Sequence, residues 1–180
     1  MKVTPTALPD VKLVLPRVFG GDRGFFMESW NARAFAAAGL VATFVQDNHS
    51  RSRRGVLRGL HYQIEHAQGK LVRCVAGEVF DVVVDLRRSS STFGRALGLT
   101  LSADNRRMLW VPPGFAHGFL AQSDYAEFLY KTTDYWYAEH ERTLLWNDPA
   151  LAIAWPISEG PVLTPKDMAG TPLAAADRYP

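Results

Sequence analysis

His61, Lys70 and Tyr130 are residue types that can move protons and hold the charge that proton transfer creates. A neutral imidazole titrates near neutral pH and can serve as a general base. A fixed ammonium can stabilise an enolate as it forms, and a phenol can donate a proton. Together the three suit proton abstraction next to a carbonyl. Taken singly, His61 could instead be a hydrogen-bonded core histidine and Tyr130 a packed core aromatic. His117 ends the run Pro112-Pro113-Gly114-Phe115-Ala116-His117. The proline there fixes the approach and the glycine permits a sharp turn, so His117 is expected on a strand that enters the interior and faces the same cavity as His61. A second set, Arg23, Arg58, Gln46, Asn48 and Glu28, lies near glycines and turns. Arginines bind phosphate through paired hydrogen bonds, while amides and a carboxylate suit a base edge or a sugar hydroxyl. Phe26, Tyr135 and Trp136 could stack on a flat base. Each of these, alone, reads first as structural.

The elements that must position these groups are mostly strands. Leu71 to Val75 runs to a turn at Ala76-Gly77-Glu78. In Val79 to Asp85, Phe80, Val82 and Val84 alternate with Asp81, Val83 and Asp85. Leu97, Leu99 and Leu101 alternate with Gly98, Thr100 and Ser102. Met108 to Val111 and Ala126 to Tyr130 read as further strands. Strict alternation with closely spaced turns favours an antiparallel sandwich or barrel over a parallel sheet. One short helix is expected from Asn31 to Ala38, with Asn31 as its cap and Gly39 at its end. After Asn147 come Pro149, Pro156, Pro161, Pro165, Pro172 and Pro180, so the tail is expected to run over the surface in loops and short helical turns.

At 180 residues the chain is expected to form a single domain over residues 1–180. The apolar fraction of 47% and charged fraction of 21% are those of a soluble globular chain. A formal charge of +2 and the absence of a long basic run argue against nucleic acid. The short cluster Arg51-Ser52-Arg53-Arg54 reads as a local anion site or as a solvated loop. Cys74 is the single cysteine and is expected as a buried thiol. No secretory signal is visible, and no apolar run is long enough to suggest a membrane span. The default is a cytoplasmic enzyme or binding protein.

The spacing of the first motif resembles that of a cupin barrel, in which a Gly, five residues, His-x-His, a Glu, six residues and a second Gly are expected. Gly55, His61 and Gly77 fit this frame, but Gln63 stands at the second His and Lys70 at the Glu. Pro112 to His117 fits the second cupin motif, Pro-x-Gly-x-x-His. Metal sites usually need at least three protein ligands. Gln63 is a poor ligand for a transition metal, and an ammonium would repel one. The expectation is therefore a barrel without a metal or other cofactor, in which Lys70 supplies the positive charge that a metal would have carried.

Longer blocks resemble the dTDP-4-dehydrorhamnose 3,5-epimerase family almost end to end. They are Asp22 to Glu28, Gln46 to Ser50, Gly55 to Gln63, Gln68 to Val72, Pro113 to Phe119, Tyr130-Lys131, Trp146 to Pro149, Ile153 to Pro156 and Lys166-Asp167. The most specific are Leu57 to Gln63 and Pro113 to Phe119. The resemblance implies a mainly β, cupin-like antiparallel jelly-roll barrel with a few short helices, a homodimer, and a dTDP-4-keto-6-deoxyhexose substrate. By position it implies His61 as proton acceptor, Asp167 as its orienting partner, Tyr130 as proton donor and Lys70 at the keto oxygen. It implies substrate contacts from Gln46, Asp47, Asn48, Arg58, His117, Glu141 and Lys166, and base stacking by Tyr135. Arg23 and Glu28 also fall at substrate-binding positions and are implied to reach the nucleotide site of the neighbouring subunit. The segment between Gln63 and Gln68 is one residue shorter than is common in the family. Trp136, Tyr137 and Ala138 also depart from it. Three rival readings are an epimerase acting at C3 or C5 alone, a metal-dependent cupin oxygenase, and a non-catalytic sugar-nucleotide binding module.

Overall fold

The computed structural model describes residues 1–180. Runs of alternating apolar residues form thirteen strands. The first half of the chain contains β1 (Lys2–Pro5), β2 (Lys12–Leu15), β3 (Val18–Gly21), β4 (Gly24–Met27), α1 (Ala32–Ala37), β5 (Gln46–Arg53), β6 (Leu57–Gln63), β7 (Lys70–Ala76) and β8 (Glu78–Asp85). It is followed by β9 (Ala96–Ser102), β10 (Met108–Val111), β11 (Phe115–Ala121), β12 (Tyr125–Thr132), β13 (Glu141–Thr143) and α2 (Pro165–Met168). A six-stranded sheet has the order β1-β2-β10-β7-β12-β5, and a five-stranded sheet the order β13-β6-β11-β8-β9. β3 and β4 form a separate two-stranded ribbon. The neighbours in both sheets are antiparallel. This is the cupin-like, mainly β architecture expected.

The main core lies between the sheets. Val72, Leu109 and Phe128 come from the six-stranded sheet, and Val83, Phe115 and Phe119 from the five-stranded one. Phe119 stacks on Phe128 with ring centroids 4.3 Å apart. Cys74 is buried in this core as expected. Burial pushes its thiol up to about 11, so it stays protonated near neutrality. On the outer face of the six-stranded sheet, Phe35 of α1 packs with Val14, Leu71 and Met108. Asn31 caps α1, its side chain accepting from the Ala34 N–H at 3.1 Å.

The proline-rich tail is more than a surface wrapping. Leu151, Trp155, Leu173, Ala176 and Tyr179 cover the outer face of the five-stranded sheet, against Leu60, Val82 and Val84. Burying each large side chain stabilises the fold by roughly 1.5–3 kcal/mol. The tail thus supplies the second cover that this sheet needs. Its prolines set the bends, but its apolar residues do the packing.

That cover explains β8. Its alternation suggested one buried and one solvated face, yet Asp81 to Asp85 is buried throughout. Val82 and Val84 face the tail, so Asp81 and Asp85 turn inward on the face of Val79 and Val83. Asp85 accepts from Arg87 Nε (2.9 Å) and Nη2 (2.8 Å), from Ser90 (2.6 Å) and from Thr92 (2.7 Å). Burial alone would push this carboxyl up, but the bonds from Arg87, Ser90 and Thr92 outweigh it and hold Asp85 at about 2. Arg87 also lies over the Phe115 ring, 4.4 Å from its centroid, and against Gly114. The network therefore fixes the start of β11, the strand that carries His117.

Asp85→Ala should lower unfolding stability by about 2 kcal/mol in urea titrations, because it removes the acceptor shared by Arg87, Ser90 and Thr92 and leaves the guanidinium only Asp10 as a charged partner. Asp85 is depressed in the folded protein, so its contribution is present above the unfolded carboxylate range near pH 4. It should fade as pH falls from about 4 towards about 2. The variant should lose the corresponding part of the acid dependence of stability.

Candidate active site

Two glycines set the geometry of the cavity. Gly59 of β6 and Gly118 of β11 pass backbone to backbone. A Cβ on Gly59 would lie 2.7 Å from Gly118 Cα, and one on Gly118 would lie 2.5 Å from the Arg58 carbonyl oxygen. Gly59 also has φ +118°, a conformation that disfavours side chains. Here the β6–β11 register shifts: His61 pairs with His117 and Arg58 with Phe119, so three steps on β6 answer two on β11. The extra residue turns both Arg58 and His61 inward, although strict alternation would have put them on opposite faces.

A cavity of about 290 Å³ opens between the sheets, lined by Asn48, Arg58, His61, Lys70, His117 and Tyr130 with a floor of Phe119 and Phe128. His61 Nε2 lies 2.6 Å from Asp167 Oδ1. Asp167 is held in turn by α2, where the capping Thr164 donates to Oδ2 at 2.9 Å and accepts from the Asp167 N–H at 3.2 Å. Burial tends to raise the Asp167 carboxyl, but the hydrogen bond and charge of His61, with help from Thr164 and Lys166, bring it below the usual range. An ionised carboxylate only accepts, so in the neutral imidazole Nε2 carries the proton and Nδ1 the lone pair. That leaves His61 with a basic nitrogen.

Lys70 opens β7, with its ammonium 5.9 Å from the centre of the Tyr130 ring. Burial lowers Lys70 to about 8, against the opposing pull of Glu141 and Asp81. Asp81 is fully buried, with its two carboxylate oxygens 3.0 and 2.9 Å from His117 Nε2. Burial raises the Asp81 carboxyl, opposed by His117 and then Lys70. Tyr130 is raised by burial and then by Glu141, so it holds its proton and can donate it. Tyr130 stands on β12 and His61 on β6, in opposite sheets. Arg58 is steadied by a 2.9 Å bond to Ser52 Oγ.

The remaining expected residues divide by position. Glu141 pairs with Lys166 at 2.8 Å. Gln46 donates to Asn48 Oδ1 at 3.0 Å. Asp47, one step along β5 from Asn48, pairs with Lys131 at 2.9 Å, and neither side chain lines the cavity. Tyr135 and Trp136 stand exposed after β12. Arg23 and Phe26 belong to the β3–β4 ribbon and Glu28 follows it, bonded to Asn31. None of these three lines this chain's cavity.

The four cupin ligand positions are otherwise engaged. His61 holds Asp167, His117 holds Asp81, Lys70 is a cation, and the Gln63 amide bonds the backbone of His66, Tyr135 and Tyr137. No group of three or more His, Cys, Asp or Glu side chains is arranged to hold a metal ion. Sequence reasoning missed Asp81 as a site residue. Its signal was its place in the alternation of Val79 and Val83, two residues that belong in any core.

A jelly-roll barrel that sets a carboxylate-held imidazole across from a phenol, with an ammonium beside the phenol, defines an acid–base isomerase of the cupin-like kind. The chain belongs to the dTDP-4-dehydrorhamnose 3,5-epimerase family, whose family model matches residues 5–175. It is 64% identical to the dTDP-4-dehydrorhamnose 3,5-epimerase of Pseudomonas aeruginosa, over 100% of both chains. A crystal structure of the Legionella pneumophila dTDP-6-deoxy-D-glucose-3,5-epimerase in complex with dTDP-4-keto-L-rhamnose superposes with a TM-score of 0.95 at 48% identity, covering 99% of this chain and 98% of that one. A 3'-monoepimerase from Streptomyces bikiniensis in complex with dTDP-quinovose is also similar, with a TM-score of 0.89 at 32% identity over 95% of this chain and 87% of that one.

Asp81 and Glu141 both favour the charged form of Lys70. Asp81→Asn should therefore move the Lys70 titration below its present value of about 8. NMR of the lysine ε-carbons across pH would detect the shift, and an unmoved midpoint would show that the two side chains are not coupled.

Proposed function

We propose that the protein inverts C3 and C5 of dTDP-4-dehydro-6-deoxy-D-glucose to give dTDP-4-dehydro-L-rhamnose, a step of dTDP-L-rhamnose biosynthesis in the cytoplasm. The observation that carries this reading is the placement of His61 and Tyr130 on opposite walls of one cavity. Inversion at a carbon requires a proton to leave from one face and another to arrive at the other. The C4 ketone acidifies both neighbouring carbons, so one cavity can serve each in turn.

His61 Nδ1 takes the proton, and the imidazolium that forms is stabilised by Asp167 at 2.6 Å. The enolate charge at O4 is met by the Lys70 ammonium. Tyr130, or water, returns a proton from the far wall. Electrons are neither gained nor lost overall, so the reaction calls for no redox group. Arg58 meets the pyrophosphate or sugar as a bidentate donor. Gln46, Asn48, His117, Glu141 and Lys166 contact the sugar nucleotide, and Tyr135 stacks on the base. The side chain of Asp47 faces away from this cavity and pairs with Lys131.

A homodimer completes the site in this reading. The β3–β4 ribbon exposes Phe25 and Phe26, with Phe26 65% exposed. Rings so far out of the core suit burial against another surface. Arg23, Phe26 and Glu28 would then meet the nucleotide in the partner's cavity. The neighbours with a 3,5-epimerase name reach 64% identity, and the 3'-monoepimerase 32%, which favours action at both carbons.

His61→Asn should lower turnover by at least about 10²-fold while the fold persists. Proton NMR of the substrate in D2O should show exchange at both C3 and C5 with the unaltered protein. Exchange at one carbon would reassign it as a monoepimerase, and none would sink the reading. Lys70→Arg keeps the positive charge at all accessible pH values. If Lys70 must be charged, kcat/KM of the unaltered protein falls as pH rises through about 8. In the arginine variant that alkaline limb should move upward, whatever its absolute rate.

A further inference from the structure

The segment 133–140 leads from β12 in the six-stranded sheet to β13 in the five-stranded one, so it crosses one end of the barrel. Within it, Tyr135 and Trp136 leave 55% and 56% of their surface in solvent. Large flat rings left in solvent on this rim of the barrel suit a flat partner. The backbone beneath them is tied down from several sides. Gln63, only 3% exposed, donates from Nε2 to the carbonyls of Tyr135 (3.1 Å) and His66 (2.8 Å) and accepts on Oε1 from the Tyr137 N–H (2.7 Å). Gln46 accepts from the Trp136 N–H at 3.2 Å, and Gln68 donates to the Asp134 carbonyl at 2.9 Å. Gly69, next to Lys70, donates to Thr133 Oγ1 at 2.8 Å.

We infer that Gln63 is a positioning residue for nucleotide binding: its buried amide fixes the Tyr135–Trp136 rim relative to β6, and so sets where the flat base stacks. The inference rests on the nucleotide-sugar reading of the cavity. Gln63 lies two residues beyond His61 on the same strand, so the rim and the base share one rigid support. It bonds a carbonyl and an N–H two residues apart in the rim, which requires a donor and an acceptor at the end of one side chain. Glutamate lacks the donor and asparagine the length. Because Gln63 acts on the rim, its loss should be felt in binding rather than in proton transfer.

Gln63→Met is close in volume and removes all three bonds. A rim in its binding position about one-tenth of the time raises the apparent Kd about tenfold. Calorimetry with dTDP should show that loss. KM for the dTDP-4-keto-6-deoxyhexose should rise by a similar factor, with kcat within about twofold. Acrylamide quenching of the free protein should increase, and the increase should vanish in a Trp136→Phe background. Unchanged dTDP affinity in the variant, with or without a lower melting temperature, overturns the inference and leaves the functional reading standing. So does a fall in kcat at constant KM, which would mean that Gln63 acts through His61. If the unaltered protein itself fails to bind dTDP, the nucleotide-sugar reading falls and this inference with it.

Discussion

The contact between Gly59 and Gly118 is the constraint on which the site depends. Neither position has room for a Cβ, and the approach lets β6 carry one residue more than β11 across the same span. Without that extra residue, Arg58 and His61 could not both face the interior. With it, an arginine, a histidine and the facing His117 converge on one cavity from two paired strands. A side chain at either glycine would push apart the strands that hold the two imidazoles.

The second theme is a set of acids placed inside the barrel, each committed to a different basic partner. Asp85 holds Arg87 and anchors the start of β11. Asp81 holds His117 and acts on Lys70. Asp167 comes from the tail and holds His61. Buried carboxylates are tolerable only with such partners. Their arrangement keeps the cavity polar while its aromatic floor, Phe119 on Phe128, remains part of the core. Lys70 sits where these influences meet, since burial lowers it and two carboxylates partly restore it.

Much of this was legible in the residues, and the failures have physical causes. The strands around Leu71, Val79, Leu97, Met108 and Ala126 were visible from alternation, and the short helix from its Asn31 cap. Gln63 and Lys70 could be read as misfits in a metal motif, but the use made of Gln63 could not. Two of its three partners are backbone groups more than seventy residues away, and backbone groups leave no trace in a sequence. Asp81 was passed over because an aspartate in an alternating strand is normally assigned to solvent. The tail reversed that assignment by covering the other face of β8. Asp47 stands between Gln46 and Asn48 in one motif block, but successive residues of a strand point to opposite sides, so its side chain pairs with Lys131.

The sequence by itself determined the fold class and the family, and it singled out the side chains proposed to react, because periodicity and ordered motifs are local properties of the chain. It determined that an imidazole, an ammonium and a phenol were present at motif positions. Only the tertiary structure decided which of them face one another. It brought Asp167 to His61 across 106 residues, put Tyr130 on the opposite wall, and paired Asp81 with His117. The reason is that a proton-transfer site is defined by distances and by desolvation. Both come from the closing of two sheets over a common interior, which no single stretch of sequence contains.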